Sequence, residues 1–151
     1  MNLFTEADLI SFGIKIGRKF AAQLAESHRP IVVELVGDVG AGKTTFTRGI
    51  AKGLGVKEKI SSPSFTICKR YGFSVGDSTG VLNHYDFYRL DDPGLMSEDL
   101  SETIDQKNNV TIIEWGNSVS TLLPDEHFVF HIKLNDDESR TIIEQKSREE
   151  K

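Results

Sequence analysis

A single cysteine, Cys68, in 151 residues leaves no partner for an internal disulfide and fits a reducing compartment. Set in the apolar run SFTIC, it reads as a packed structural thiol rather than a reactive one. No stretch approaches the roughly 20 apolar residues of a membrane span. The N-terminus carries no signal-peptide pattern, so a cytoplasmic protein is expected. An excess of basic residues is also missing. With 18 Lys and Arg against 23 Asp and Glu, the net charge of −5 argues against a broad nucleic-acid-binding surface. The four histidines, His28, His84, His127 and His131, show no metal-ligand spacing, so no zinc site is expected. Internal repeats, low-complexity tracts and linkers are absent as well, which leaves one domain large enough for its own core.

What is present alternates between helical and strand patterns. TEADLISFGIKIGRKFAAQLAES predicts an amphipathic helix with Thr5 as N-cap and Asp8 three residues on. Leu9, Phe12, Ile16, Phe20 and Leu24 form its apolar face, Gly13 and Gly17 weaken its first half, and Pro30 closes the element. IVVELV is a short run rich in β-branched residues, as for a strand buried on both faces. A helix is expected from about Lys43 to Leu54, ending near Gly55. SSPSFTICKRY predicts a loop entering a strand, and the turn-rich GFSVGDSTG a hairpin connection to VLNHYDFYRL. LDDPGLMSEDLSETIDQ predicts one or two helical turns, VTIIEW a second apolar strand, and NSVSTLLP a short helix. FVFHIKL and RTIIEQ pair around NDDES. The expectation is an α/β fold: residues 1–145 as one domain with a central mixed β-sheet flanked by helices, and residues 146–151 as a frayed tail.

Between IVVELV and the following helix lies GDVGAGKTT, which satisfies G-x-x-x-x-G-K-[ST] through Gly37, Gly42, Lys43 and Thr44. Glycines let the backbone curl until several N–H groups point inward at a helix N-terminus, making an anion nest. Asp38, Val39, Gly40, Ala41, Gly42, Lys43, Thr44 and Thr45 are therefore the expected nucleotide-binding residues of a P-loop NTPase. Lys43 sets a positive charge against the β- and γ-phosphates, Thr44 offers its hydroxyl to Mg²⁺, and Thr45 helps to hold the α-phosphate.

Such a loop needs a carboxylate near the metal, usually at the end of a neighbouring apolar strand. Glu114, after VTII, is the first choice, because a carboxylate on so apolar a strand needs a partner and Mg²⁺ supplies one. Asp86, after VLNHY, is expected to orient or deprotonate the attacking water, or to share the metal shell. His84 shares a strand face with Asp86 and is expected to be a packed or hydrogen-bonded residue; Trp115 reads as core or site wall. A GTP switch is disfavoured because N-K-x-D is missing and DSTG, residues 77–80, reads as a turn. A small-molecule kinase remains the alternative, although Arg70, Arg89 and Arg140 are scattered rather than gathered in a lid. A nucleotide-sensing adaptor that never hydrolyses is a third class.

GDVGAGKTTFTRG, SSPSFTI, HYDFYRL and IIEW occur in that order, and with these motifs the chain resembles the bacterial TsaE (YjeE) family over about residues 13–145. The resemblance implies an ATP- and Mg²⁺-dependent ATPase, weak alone, that supports the TsaD and TsaB proteins in tRNA threonylcarbamoyladenosine synthesis. It also implies that the subunit itself does not transfer the threonylcarbamoyl group and meets tRNA only through the complex. It further implies phosphate and Mg²⁺ roles for Lys43 and Thr44, a metal-associated Glu114, an Asp86 acting in hydrolysis, and a mobile loop at residues 61–66. Three positions depart from the family pattern: Ser64 in S-P-T, Gly13 in place of a threonine, and Ser97 in place of a glycine.

Overall fold

The computed structural model describes residues 2–3, 5–61, 68–88 and 94–146. In chain order these form β1 (Asn2–Leu3), α1 (Glu6–Ser27), β2 (Ile31–Val36), α2 (Lys43–Leu54), β3 (Cys68–Val75), β4 (Ser78–Asp86) and α3 (Leu95–Thr103). β5 (Val110–Glu114), a 3-10 segment (Gly116–Leu122), β6 (Phe128–Leu134) and β7 (Arg140–Lys146) follow. The strands make one seven-stranded sheet in the order β1-β7-β6-β2-β5-β4-β3. Pairings among β6, β2, β5 and β4 are parallel and those at the two margins antiparallel, so the sheet is mixed, as expected.

Local chemistry accounts for the helix ends. The Thr5 hydroxyl accepts the Asp8 N–H at 3.0 Å and the Asp8 carboxylate accepts the Thr5 N–H at 3.1 Å, closing the capping box. α1 stops at His28, which adopts a left-handed conformation, two residues before Pro30. α2 ends on left-handed Gly55, whose N–H is taken up by the carbonyls of Ala51 and Lys52.

Gly13 and Gly17 do not weaken α1. They are where it meets α2. A Cβ on Gly13 would stand 2.7 Å from the Phe46 carbonyl oxygen, and one on Gly17 2.2 Å from that of Ile50. Gly49 and Gly53 make the reciprocal approach, 2.4 and 2.2 Å from the carbonyls of Ile10 and Ile14. Four missing side chains let two backbones touch, and Gly13 is accordingly part of the helix interface.

Alternation then divides the core. Ile31, Val33 and Leu35 of β2 face α1 and α2 together with Phe20, Phe46 and Ile50, whereas Val32 joins Tyr85, Leu100, Ile113 and Val119 on the opposite face. Leu82, Val110 and Ile112 also lie in the α1–α2 core, so parity brings His84, Asp86 and Glu114 to the side of the sheet that carries α2.

Three expectations change in detail. GFSVGDSTG is mostly strand: Phe73 and Val75 continue the inward alternation begun at Tyr71, and only Gly76 and Asp77 turn. β1 was not expected; two residues are too few to show a period. Lys146, placed in the tail, pairs with Phe128 at the end of β7. Ser62, Pro63, Ser64, Arg89 and residues 147–151 of the tail lie outside the described residues, as does all of the expected mobile loop but Ser61. Ser97 closes the first turn of α3 through its hydroxyl, which donates to the Gly94 carbonyl at 2.7 Å. No helix among the described residues is long and apolar enough to cross a membrane.

Candidate functional site

β2 ends at Val36 and the chain turns through Gly37 to Gly42 before α2 begins. The turn needs its glycines: Gly40 and Gly42 have φ of 85° and 110°, and a Cβ on Gly37 would stand 2.5 Å from the Ile132 carbonyl of β6. The register places Leu35, Glu114 and Asp86 side by side across β2, β5 and β4. Three parallel strands therefore end at one edge of the sheet, with the loop on one and a carboxylate on each of the others. In open α/β sheets this carboxyl-terminal edge is where ligands bind.

A cleft of about 460 Å³ occupies that edge. Asp38, Val39, Gly40, Gly42, Lys43, Thr44, Thr45, Asp86 and Glu114, all expected from sequence, line it. Ala41 does not; its side chain is buried in the core. Glu6, Leu9, Tyr88, Trp115 and Arg140 complete the wall. Arg140, set aside above as scattered, is thus part of the site; Arg70 instead pairs with Asp99 at 2.5 Å, and Arg89 lies outside the described residues.

Lys43 is only 6% exposed. Its ammonium donates to the carbonyl of Gly37 and, at 3.2 Å, to that of Asp38, and lies 4.1 Å from the centre of the Trp115 ring. Burial lowers its pKa, against the pull of Glu114, Asp86 and Asp38. Trp115 reaches this place with φ of 58°, a conformation rare for a bulky side chain, and packs against Tyr88 at 4.8 Å between ring centres. It is site wall, as expected.

Asp86 and Glu114 are cross-strand neighbours in different surroundings. Asp86 accepts the Tyr88 N–H at 2.9 Å; burial, reinforced by Glu114, pushes its pKa up against the opposing Tyr88 N–H, His84 and Lys43. Glu114 is 3% exposed and already has a partner: His84 Nε2, fully buried, lies 2.5 Å from its Oε2. Facing a carboxylate oxygen, Nε2 is the donor of this bond, and Nδ1 meets no partner among the described residues. Sequence reading offered Mg²⁺ as a partner for Glu114; the register that sets β4 against β5 supplies a protein partner as well, the His84 side chain. His84 is the hydrogen-bonded residue expected. The readable signal was its spacing of two from Asp86; its pairing with Glu114 was not readable, since that depends on strand register.

Thr44 supplies a hydroxyl, and Asp86 and Glu114 supply carboxylates, to one cleft. Among the described residues no three His, Cys, Asp or Glu side chains cluster to chelate a metal. This donor set suits an octahedral dication that takes one or two protein oxygens and completes its shell with phosphates and water. Burial pushes the Cys68 thiol up, in keeping with a packed structural thiol.

With this geometry in view, the comparisons are specific. The family model of "Threonylcarbamoyl adenosine biosynthesis protein TsaE" matches residues 7–142. The "tRNA threonylcarbamoyladenosine biosynthesis protein TsaE" of Bacillus subtilis is 41% identical over 112 residues, covering 74% of this chain and 66% of that protein, just under two thirds. The Haemophilus influenzae protein of the same name is 32% identical over 126 residues, covering 82% and 77%. The crystal structure of Bacillus subtilis YdiB superimposes with a TM-score of 0.58 at 35% identity, covering 85% of this chain and 77% of that one. Family model, relatives and fold agree over nearly the whole described molecule: the chain belongs to the TsaE family.

Proposed function

We propose that this protein binds ATP with Mg²⁺ and hydrolyses it in support of tRNA threonylcarbamoyladenosine synthesis, acting in the cytoplasm with the TsaD and TsaB proteins. The observation that carries this reading is the meeting of Lys43, Thr44, Asp86 and Glu114 in one cleft at the mouth of a glycine loop. The relatives' names agree with tRNA modification and not with a metabolite kinase.

In this reading the N–H groups of the loop and the Lys43 ammonium hold the phosphates, Lys43 exchanging its bonds to Gly37 and Asp38 for bonds to phosphate oxygens. Asp86 orients a water and accepts its proton as the water oxygen bonds to the γ-phosphorus; the bond to the β-phosphate oxygen breaks and ADP leaves. Thr44 and Glu114 would hold Mg²⁺, with His84 keeping Glu114 in place; a metal bound there would neutralise charge on the phosphates.

Purified protein should bind ATP–Mg²⁺ and release phosphate slowly, and should pull down TsaD and TsaB better with ATP than without. Lys43→Ala should weaken nucleotide binding or turnover by about 10²-fold, as for loss of one preorganised charge on the reacting group. Normal tRNA modification in cells that carry only Lys43→Ala would overturn the reading.

A further inference from the structure

A second hollow, of about 530 Å³, lies on the flank of α2 and shares no lining residue with the phosphate-loop cleft. Arg48 and Lys52, four residues apart on α2, stand along one wall. Lys57 and Lys59 stand along the other, in the segment that follows the helix, with Glu58 as the one acid between them. Four cations to one carboxylate is a local reversal of sign in a chain whose net charge is −5. All five residues are exposed, and none forms an ion pair among the described residues.

The walls are tied together. Arg48 Nε donates to the Ile60 carbonyl at 3.3 Å, which fastens the segment to the helix. The N–H groups of Gly55 and Val56 donate to the carbonyls of Lys52 and Ala51 at 3.1 and 3.0 Å, so two acceptors at the negative end of α2 are already occupied. Ala51, Val56 and Ile60 give the hollow an aliphatic floor. Residues 57–60 form neither helix nor strand, and their N–H groups meet no partner among the described residues.

Each feature narrows the ligand. Cations on both walls suit several negative charges spaced along a chain. No aromatic side chain lines the hollow, so the bases of a single-stranded nucleic acid find nothing to stack on. A duplex phosphate backbone has no apolar group to set on an aliphatic floor. A peptide matches all three features, with carboxylates for the cations, an aliphatic side chain for the floor and main-chain carbonyls for the open N–H groups. We infer that this hollow docks an acidic segment of a partner protein, held between α2 and residues 57–60. The inference does not depend on the nucleotide-binding reading, because the two sites have no residue in common.

The probe is a short fluorescein-labelled peptide, glutamate throughout apart from one central leucine, followed by fluorescence polarisation. Wild type should bind it, and the affinity should fall several-fold as salt is raised from about 50 to about 300 mM. Serine in place of the leucine should weaken binding by about tenfold, as for one aliphatic side chain left uncovered. The double variant Lys52→Glu with Lys57→Glu should raise the dissociation constant by about tenfold or more, and Lys52→Gln with Lys57→Gln by less. Both should melt and release phosphate from ATP as wild type does. Failure of wild type to bind the peptide would overturn the inference, as would equal binding of a peptide with glutamine for every glutamate. Equal binding by the charge-reversed variant would place the peptide elsewhere and overturn it too. Unfractionated tRNA bound more tightly than the peptide, and weakened by the same variants, would make the hollow a nucleic-acid site instead. A loss of peptide binding confined to variants with lowered melting temperature would reduce these lysines to a structural role and overturn the inference as well.

Discussion

Asp86 and Glu114 are opposite one another in the ladder, yet their surroundings give them different work. Glu114 is buried and hydrogen-bonded to His84, so its orientation is set from within the sheet. Asp86 stands at the cleft, its carboxyl pushed above the ordinary range by burial and by Glu114. A raised carboxyl pKa favours the folded state below the unfolded value of about 4, and that contribution is lost as pH rises through the folded value. Asp86→Asn should therefore raise the melting temperature at neutral pH, with the difference shrinking below about pH 4, while hydrolysis falls. A variant that melts below wild type at neutral pH would contradict the burial cost assigned to this carboxylate. The residue types were legible, since an acid ending an apolar strand beside a phosphate loop has few other uses. The partner of Glu114 was not, because strand spacing alone cannot say which neighbour faces it.

At the level of elements, the α1–α2 crossing reverses a sequence argument. Glycine in a helix costs about 1 kcal/mol relative to alanine in an isolated helix. Here Gly13, Gly17, Gly49 and Gly53 each lie against backbone of the facing helix, closer than any Cβ could stand. Backbone cannot rotate aside as a side-chain tip can. Gly49→Ala should therefore destabilise the protein by about 1–3 kcal/mol despite its better helix propensity, as measured by urea unfolding. Stabilisation by Gly49→Ala would mean the helices stand further apart. Helix ends were better anticipated, because Thr5, Asp8 and Gly55 act on groups within a few residues of themselves.

For the whole molecule, the sheet is the assembly device. Its order, β7-β6-β2-β5-β4, brings Arg140, the loop and the two acids to one cleft, although they are drawn from residues 38 to 140. A ligand seated there bridges both halves of the sheet and should stabilise all of it. ATP with Mg²⁺ at a hundred times its dissociation constant should add about 2.7 kcal/mol to unfolding, read as a rise in melting temperature. Removing the metal with EDTA should cancel much of that rise, and Lys43→Ala should show little of it. A rise equal in wild type and Lys43→Ala would place the nucleotide elsewhere.

What the sequence determined by itself were the features with short reach. The glycine loop, the capped helix, the apolar strands and the acids that end two of them are set by chemistry within a few residues, where backbone conformation and side-chain period are decided. Tertiary structure alone decided the rest. It paired His84 with Glu114, turned Gly13 from a flaw into a contact, and brought Arg140 to the Ala41 carbonyl across 99 residues. Each depends on strand order and register, which are chosen by the burial of the whole core and leave no mark on the neighbouring sequence.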